Sequence, residues 1–518
     1  MLDLTVMNKT IIQFVTICFI IPISICWGQQ TIPVDRKAWL EDLEFLEHSV
    51  SKIFPDFESH QGSGLFLQEL SDLRADVPTL SPKEIVFRIQ KAMGALGDEG
   101  CSILPFQEVL ETTILPISLY SFEDGWYICD AKDKALVGQR VLGMDGRSMG
   151  EVYDMMKPYL NADNVHYQER LFAVYGIVPD MLRSSGLEGA DTAVQLQIAG
   201  DREILLEAGP LSEYTSLDRK LPNDGHFQLN QKNHANENYW LEYIPNSETM
   251  YVQLQQISNN EEGPSFKKFV GLVADGISTG KAKKIILDVR YGGGGNGFKL
   301  KPLTDLLRDS EQINQDGNLV ILTSKATKGT LLELVSLLTL NTQAVVIGEP
   351  TGEGPNTVGD VRVVQMPNSK IKVSLTSIFW PTSWEIDKRS TLEPHVEVTF
   401  TIGDYLNGED PWLNAATAYV GSRQLAVMDT AIAEQLSGTY DVHDRKVKLS
   451  WEDNQFTMQM GRRIKSFFEF KAKLFPKSEG VLASTIEGVD LHYKRLDSGQ
   501  VALLYLDWKG TKMDMNRK

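Results

Sequence analysis

The sequence has few cysteines, no metal-binding motif and only one long apolar run. Two of its four cysteines, Cys18 and Cys26, lie within that run or directly after it, and the two that remain cannot form a disulfide framework. We expect Cys101 and Cys129 to be buried thiols, with a disulfide between them as the alternative. The sequence contains no CxxC or HExxH motif and no histidine-rich cluster. We therefore expect no metal site and no other cofactor.

Positive charge is also scarce, because the formal net charge is −18. An acidic protein has no general attraction to nucleic acid or to anionic lipid. We therefore expect the partner to be a peptide or protein segment, with an apolar small molecule as the alternative, and not a nucleic acid. The length of 518 residues, of which 42% are hydrophobic and 23% charged, predicts a globular protein of about three or four domains.

The one long apolar run lies at the N-terminus and has the pattern of an export signal. Lys9 precedes the run, Ile11–Ile25 is almost unbroken, and Gly28 is a small residue at the expected cleavage point. The run is short for a membrane span. We expect a signal peptide over residues 1–28 and a periplasmic or extracellular protein with no stable membrane span. Lipid attachment at Cys26 is less favoured, because the preceding isoleucine is bulky.

Hydrophobic periodicity divides the remaining chain. After the signal, apolar residues recur at helical spacing, and Ser81 with Glu84 forms a capping-box pattern at a helix start. Short strands with turns follow, and then apolar strands alternate with helices, which predicts a largely parallel sheet covered by helices. Hairpin patterns end the chain. The predicted divisions are a helical domain (34–105), a β-rich module (106–220), an α/β core (239–420) and a C-terminal all-β domain (436–518).

Two glycine-rich strand exits are the most informative motifs. Lys284–Gly297 reads KIILDVRYGGGGNG, and Gly348–Asn356 reads GEPTGEGPN. Glycines allow backbone amides to approach a substrate closely, although a tight turn after a buried strand is the plain alternative. Gly292, Gly294 and Gly297 also fit the nucleotide motif GxGxxG. We disfavour that interpretation because a strand ending in Asp-Val-Arg precedes the glycines and no GK[ST] follows.

These segments resemble the core of the tail-specific (C-terminal-processing) serine peptidases, especially the branch that includes the interphotoreceptor retinoid-binding protein repeats. Residues 394–416, PHVEVTFTIGDYLNGEDPWLNAA, resemble a motif of that family, with His395 in place of its aspartate. Residues 138–146, GQRVLGMDG, resemble the PDZ-like modules of such peptidases. The resemblance implies an α/β core of the ClpP/crotonase-like type, flanked by an N-terminal helical segment, a small PDZ-like β module and a C-terminal all-β domain.

The resemblance also locates the catalytic positions. The family's nucleophilic serine follows an L-T-x-x-x-T-F motif, which places Gly329 at the serine, and its histidine in G-D-x-H-T corresponds to Gly100. Glycine can neither attack nor accept a proton. Asp387 matches the acidic residue that would orient the histidine. Its plain alternative is an exposed salt bridge with Lys388 or Arg389.

Three functional hypotheses follow. The first is an exported, peptide-binding homologue that is catalytically impaired, in which glycine at both positions opens about a side chain's worth of space. The second is an active serine/threonine-type peptidase with a displaced nucleophile, Thr330 or Ser324; a helix-capping hydroxyl is the plain alternative for Thr330. The third is a carrier of an apolar small ligand. In the first two, the turn residues Gly293, Gly294 and Gly295 are the candidates for the oxyanion hole and substrate cleft.

Overall fold

The computed structural model describes residues 35–103, 106–190, 192–215, 217, 237–421, 426–461 and 468–518. The predicted signal peptide lies outside these residues. Contacts between Cα atoms divide the chain into two compact units. The first comprises Met1–Asn236, Val358–Trp380 and Thr399–Pro411, and the second comprises Glu237–Thr357, Pro381–Val398 and Trp412–Lys518. No helix in the described ranges has the length and apolar character that a membrane crossing needs.

The first unit begins with three helices. They are α1 (Arg36–Ile53), α2 (Ser63–Asp76) and α3 (Pro82–Gly94). The predicted capping box is confirmed: the Ser81 side chain accepts the Glu84 N–H, and the Glu84 carboxylate accepts the Ser81 N–H. The predicted apolar face of α1 is also confirmed, because Trp39, Leu43 and Leu46 are each at most 1% exposed.

A β-rich region follows in the same unit. Its strands are β1 (Thr113–Ile114), β2 (Ile117–Phe122), β3 (Gly125–Ala131), β4 (Arg140–Met144), β5 (Arg147–Ser148), β6 (Ala193–Ile198), β7 (Arg202–Glu207) and β8 (Gly209–Pro210). The main sheet has the order β2-β3-β4-β6-β7, with β5 paired to β4, while β1 pairs with β8. Its helices are α4 (Met149–Met156), α5 (Val165–Tyr175), α6 (Pro179–Ser184) and α7 (Leu211–Thr215). Cys101 and Cys129 are buried and form no disulfide, as predicted.

The second unit contains the predicted parallel sheet. Its strands are β9 (Tyr239–Tyr243), β10 (Thr249–Leu254), β11 (Lys284–Asp288), β12 (Leu319–Thr323), β13 (Val345–Gly348) and, later in the chain, β18 (Val396–Glu397). The order is β18-β13-β12-β11-β10-β9, and every pair is parallel except β9 with β10. Helices α8 (Phe266–Ser278), α9 (Lys301–Asp309) and α10 (Gly329–Asn341) contribute to its buried core.

The chain leaves this core for two short ribbons before it returns. Strands β14 (Asn356–Gly359) and β17 (Ile378–Pro381) pair with each other, and β15 (Arg362–Gln365) forms a hairpin with β16 (Lys372–Leu375). Apolar residues of the hairpin, such as Ile371 and Val373, pack into the helical core of the first unit. Helices α11 (Ile402–Asn407) and α12 (Pro411–Ala418) follow β18.

The predicted C-terminal all-β domain is confirmed as a closed barrel that follows helix α13 (Thr430–Leu436). Its antiparallel strands are β19 (Gly438–Val442), β20 (Arg445–Glu452), β21 (Gln455–Met460), β22 (Phe470–Ser478), β23 (Val481–Ser484), β24 (Val489–Arg495), β25 (Val501–Trp508) and β26 (Thr511–Arg517). Strand β19 pairs with β26 and closes the barrel. Trp384, which precedes the barrel in the chain, packs into its apolar cluster against Trp508.

Candidate functional site

The candidate site lies at the carboxyl ends of the parallel strands in the second unit. Strands β11, β12 and β13 run in the same direction, so the turns that follow them leave the sheet at one edge. That edge of an open α/β sheet is where ligands generally bind. The glycine turn follows β11, the start of α10 follows β12, and the second glycine turn follows β13.

A buried ion pair anchors the glycine turn. The Arg290 guanidinium donates to the Asp288 carboxylate, with Nη2 2.6 Å from Oδ2 and Nε 3.0 Å from Oδ1, and both side chains are 0% exposed. The Tyr251 hydroxyl donates to the same carboxylate at 2.6 Å. Burial and the neighbouring Asp288 charge raise the pKa of Tyr251 well above its ordinary value. These hydrogen bonds therefore hold the end of β11 in place, immediately before the glycine turn.

The turn presents carbonyl oxygens to the beginning of α10. The carbonyl of Gly295 accepts the Thr330 hydroxyl at 3.1 Å, and the carbonyl of Gly293 faces Gly329 and accepts the Leu331 N–H at 3.4 Å. The carbonyl of Gly294 accepts the Ile257 N–H at 3.1 Å. Two of the three predicted oxyanion-hole glycines, Gly293 and Gly295, thus contact the predicted nucleophile region through their carbonyl groups, whereas Gly294 bonds to Ile257.

Gly329 begins α10 in a conformation that suits glycine. Its φ is +54°, in the left-handed region that other L-residues adopt at a cost. A β-carbon at this position would lie 2.7 Å from the Gly293 carbonyl oxygen. The expectation that glycine opens space here is therefore wrong. The backbone of the first glycine turn fills that space.

A buried carboxylate lies at the same helix end. The Gly329 N–H donates to Oε2 of Glu353 at 2.8 Å, and Glu353 is only 8% exposed. The positive end of a helix dipole and its unsatisfied N–H groups stabilise a negative charge. Glu353 lies within the second glycine turn, and it was not among the predicted site residues. Its place between two glycines at a strand exit was the signal that could have revealed it.

The two candidate displaced nucleophiles have different surroundings. The Ser324 hydroxyl is buried and donates to the Arg290 carbonyl oxygen at 2.7 Å, so it joins the turn after β12 to the end of β11. Thr330 is partly exposed and donates to Gly295, as described above. The alternative interpretation of Thr330 as a capping hydroxyl is wrong, because Lys328 is the N-cap residue and the Thr330 hydroxyl donates to the Gly295 carbonyl.

Asp387 is buried rather than exposed. It is 4% exposed and accepts from Nε of Arg389 at 2.9 Å, from Nη2 at 2.8 Å and from the Ser383 hydroxyl at 2.7 Å. Burial alone would raise the pKa of this carboxyl, but Arg389 and Ser383 together hold it below its ordinary value. The predicted pairing with Arg389 is confirmed, and its predicted exposure is wrong because the segment that carries Asp387 packs against the barrel through Trp384.

Gly100 lies in the first unit, and its neighbours fill the space beside it. A β-carbon there would overlap the Cγ2 methyl of Thr376 and lie 3.2 Å from Asp98 and from Val361. Thr376 is 2% exposed, and its hydroxyl is bonded to Asp98 and lies 3.2 Å from the Cys101 sulfur. The expected gain of space at this position is also wrong. A threonine about 280 residues later in the chain occupies it, which no local pattern could show.

A metal site would need several ligating side chains close together. Within the described residues, no group of three or more His, Cys, Asp or Glu side chains is arranged to hold a metal ion.

Comparison with known proteins finds no match for the sequence but finds similar structures. The sequence matches no protein-family model, and it matches no curated protein. The structure is similar to that of mature CPAF complexed with lactacystin, with a TM-score of 0.51 at 14% identity over 74% of this chain and 97% of that one. Mature CPAF gives a TM-score of 0.50 at 14% identity over 74% of this chain and 96% of the other.

Weaker similarities include the photosystem II D1 C-terminal processing protease, with a TM-score of 0.33 at 14% identity over 70% of this chain and 93% of that one. A putative S41 protease from Bacteroides fragilis gives 0.28 at 13% identity over 60% of this chain and 81% of the other. Structural neighbours of the chain are thus CPAF, a C-terminal processing protease and S41 peptidases, and the likeness to CPAF shows that the chain has the fold of such a protein.

Proposed function

We propose that this chain is an exported, peptide-binding homologue of the tail-specific serine peptidases that has lost their standard catalysis. One observation carries the proposal: at the family's serine position, Gly329 has a positive φ, the Gly293 carbonyl against it and the Glu353 carboxylate on its N–H. A serine side chain does not fit there without a backbone shift. In this proposal, the loss of catalysis therefore involves the surrounding backbone and Glu353 as well as the replacement of one residue.

Several finer assignments belong to the same proposal. They are a ClpP/crotonase-like core for the parallel sheet, a PDZ-like character for the β-rich region, and membership of the branch with the interphotoreceptor retinoid-binding protein repeats. Export through a signal peptide at residues 1–28 is a further part. The order β18-β13-β12-β11-β10-β9, parallel over five strands, supports the first of these.

An exposed aromatic residue beside the glycine turn supports peptide binding. Phe298 follows the turn directly and is 71% exposed, which is unusual for so large an apolar side chain. Aromatic residues of this kind often contribute a large share of binding energy at peptide and protein interfaces. A peptide lying along the ends of β11 and β12 would bury it.

The binding test uses the purified chain and a diverse library of labelled peptides, with bound peptides identified by mass spectrometry. We expect recovered peptides to be intact and Phe298→Ala to weaken their binding about fivefold or more. Leu272→Ala is the matched control, because Leu272 is also exposed, at 49%, but lies on helix α8. Equal binding by wild type and both variants would overturn the proposed cleft.

A displaced nucleophile is the second candidate, favoured by the partly exposed Thr330 hydroxyl at the glycine turn. The Thr330 hydroxyl donates to a peptide carbonyl, and a carbonyl oxygen is far too weak a base to remove the hydroxyl proton at neutral pH. We therefore expect no labelling of the wild type by a fluorophosphonate probe and no adduct with lactacystin, the compound in one CPAF complex. Cleavage or labelling that Thr330→Val abolishes and Thr330→Ser retains would establish the active peptidase instead.

Variants at Gly100, the family's histidine position, test whether the neighbouring residues leave room for a histidine. Gly100→His alone should destabilise the first unit, because its β-carbon meets the Thr376 methyl. Thr376→Ser removes only that methyl and keeps the hydroxyl bonded to Asp98. The double variant should therefore recover much of the lost stability. Even with both changes, Gly329→Ser should not restore proteolysis, since its obstacle is backbone.

A further inference from the structure

The second unit contains a cavity of about 40 Å³ that none of the preceding interpretation uses. It is lined by helix α10, by the segment that follows Asp387 and by two turns of the C-terminal barrel. One bound water needs about 10–15 Å³ on this measure. The cavity therefore has room for about three or four waters, which is enough for one small polar group.

The buried part of the lining supplies hydrogen-bond donors. Ser336 is 2% exposed, and its Oγ has no hydrogen-bond partner among the described residues. A buried hydroxyl without a hydrogen bond is unfavourable, which indicates that a bound group satisfies it. Thr485 is 8% exposed and accepts the Lys473 N–H at 3.0 Å, so its own proton can be donated into the cavity. Both hydroxyls therefore suit an acceptor.

Two cations line the same cavity. Arg389 uses Nε and Nη2 on Asp387, which leaves Nη1 for a further acceptor. Lys509 donates one proton to the Glu487 carbonyl oxygen at 2.6 Å and has others to donate. Burial, followed by the positive charge of Arg389, lowers the pKa of Lys509 to about 8. The Asp387 carboxylate already offsets part of this positive charge, and an anion in the cavity would offset more of it.

The acidic residues of the lining lie on its solvent side. Glu393 is exposed, and the Glu487 side chain is 65% exposed. Oε2 of Glu487 lies 3.2 Å from Nε2 of His395, whose Nδ1 accepts the Val346 N–H at 2.9 Å. Nε2 therefore carries the histidine proton and donates it to Glu487. The carboxylates are screened by water, while the interior presents donors.

We propose that this cavity binds a small oxyanion, either a carboxylate or a phosphate-type group, through Arg389, Lys509 and Ser336. Guanidinium and ammonium donors combined with hydroxyls form strong, charge-assisted hydrogen bonds to such groups. The site is independent of the proposed peptide cleft, because it is formed by α10, the 383–395 segment and the barrel. The barrel then contributes two turns to a ligand site as well as packing around Trp384.

The test is calorimetric titration of the full chain at pH 7 with inorganic phosphate and, separately, with acetate, at constant ionic strength. We expect saturable binding of at least one, and the stronger one identifies the oxyanion class. Lys509→Gln should weaken it about tenfold, and Ser336→Ala about fivefold. Lys512→Gln, which removes an exposed lysine from strand β26, should leave binding unchanged. Absence of saturation at tens of millimolar, or equal binding by Lys509→Gln and Lys512→Gln, would overturn the proposal.

Two further measurements keep the test independent of folding defects. In acylation followed by mass spectrometry, the bound anion should protect Lys509 and not Lys512. Ser336→Ala removes an unbonded buried hydroxyl, so without added anion its Tm should equal or exceed that of wild type. The anion should then raise the Tm of this variant less than that of wild type. An equal increase in both proteins would show that the anion does not bind in this cavity.

Discussion

Replacing Gly329 by alanine should destabilise the start of helix α10 strongly. A residue with a β-carbon costs about 1–2 kcal/mol in the left-handed region, which Gly329 occupies with φ +54°. The new β-carbon would also lie 2.7 Å from the Gly293 carbonyl oxygen, and overpacking of this kind costs about 1–3 kcal/mol. The expected loss is therefore about 2–5 kcal/mol. Hydrogen exchange of peptides from α10 and urea unfolding both measure it.

Two controls separate the contributions. Gly329→Asn keeps the β-carbon contact, but asparagine tolerates the left-handed region, so its loss should be about 1 kcal/mol smaller. Gly271→Ala adds a β-carbon to helix α8 where no atom lies within 4 Å, and it should stabilise by about 0.5–1 kcal/mol. A loss below about 1 kcal/mol for Gly329→Ala would refute the view that the local structure has closed the serine position.

Three further changes test the fold and its charges. Asp288→Ala should cost about 3–5 kcal/mol in urea unfolding, because it removes the buried carboxylate to which the Arg290 guanidinium donates; a loss below about 1 kcal/mol would contradict this. Trp384→Ala should lower the unfolding free energy of the unit with the barrel by about 3–5 kcal/mol, since Trp384 is 1% exposed. An unchanged midpoint in urea unfolding would contradict the packing role of Trp384. Burial and Arg389 lower the pKa of Lys509 to about 8, so between about pH 8 and its ordinary pKa of 10.5 the unfolded chain binds more protons than the folded one. Wild type should therefore gain stability relative to Lys509→Gln as pH rises through that range, and parallel stability curves would contradict the shift.

Local patterns predicted most of the elements of this fold. The capping box at Ser81, the apolar strand Lys284–Asp288 and the C-terminal hairpins could be read directly, because each depends on residues close in sequence. Closure of the barrel depends on the pairing of β19 with β26, and no local pattern specifies that. The environment of Gly100 likewise depends on Thr376, which a single sequence does not connect to it.

The site was harder to predict because its chemistry depends on which atoms face each residue. The sequence singled out Gly329 and the glycine turn as parts of one site, but it could not reveal that carbonyl groups of the turn contact the helix start. The burial of Asp387 was missed for a similar reason. The segment that carries it is held against the barrel by Trp384, and the partner of that tryptophan, Trp508, lies more than a hundred residues further along the chain.

If the proposed function is correct, Glu353 gives a physical reason to expect that a serine at residue 329 alone would not give catalysis. Acyl transfer develops negative charge on the substrate oxygen, and an active site stabilises that charge with N–H donors. Here the Gly329 N–H already donates to the Glu353 carboxylate at 2.8 Å. An oxyanion about 4 Å from a carboxylate is repelled by about 4 kcal/mol at an effective dielectric constant near 20. That repulsion alone would slow the reaction about a thousandfold. A variant with a working serine would therefore also need Glu353 replaced by an uncharged residue, whereas binding of an uncharged peptide backbone at the same strand ends involves no such repulsion.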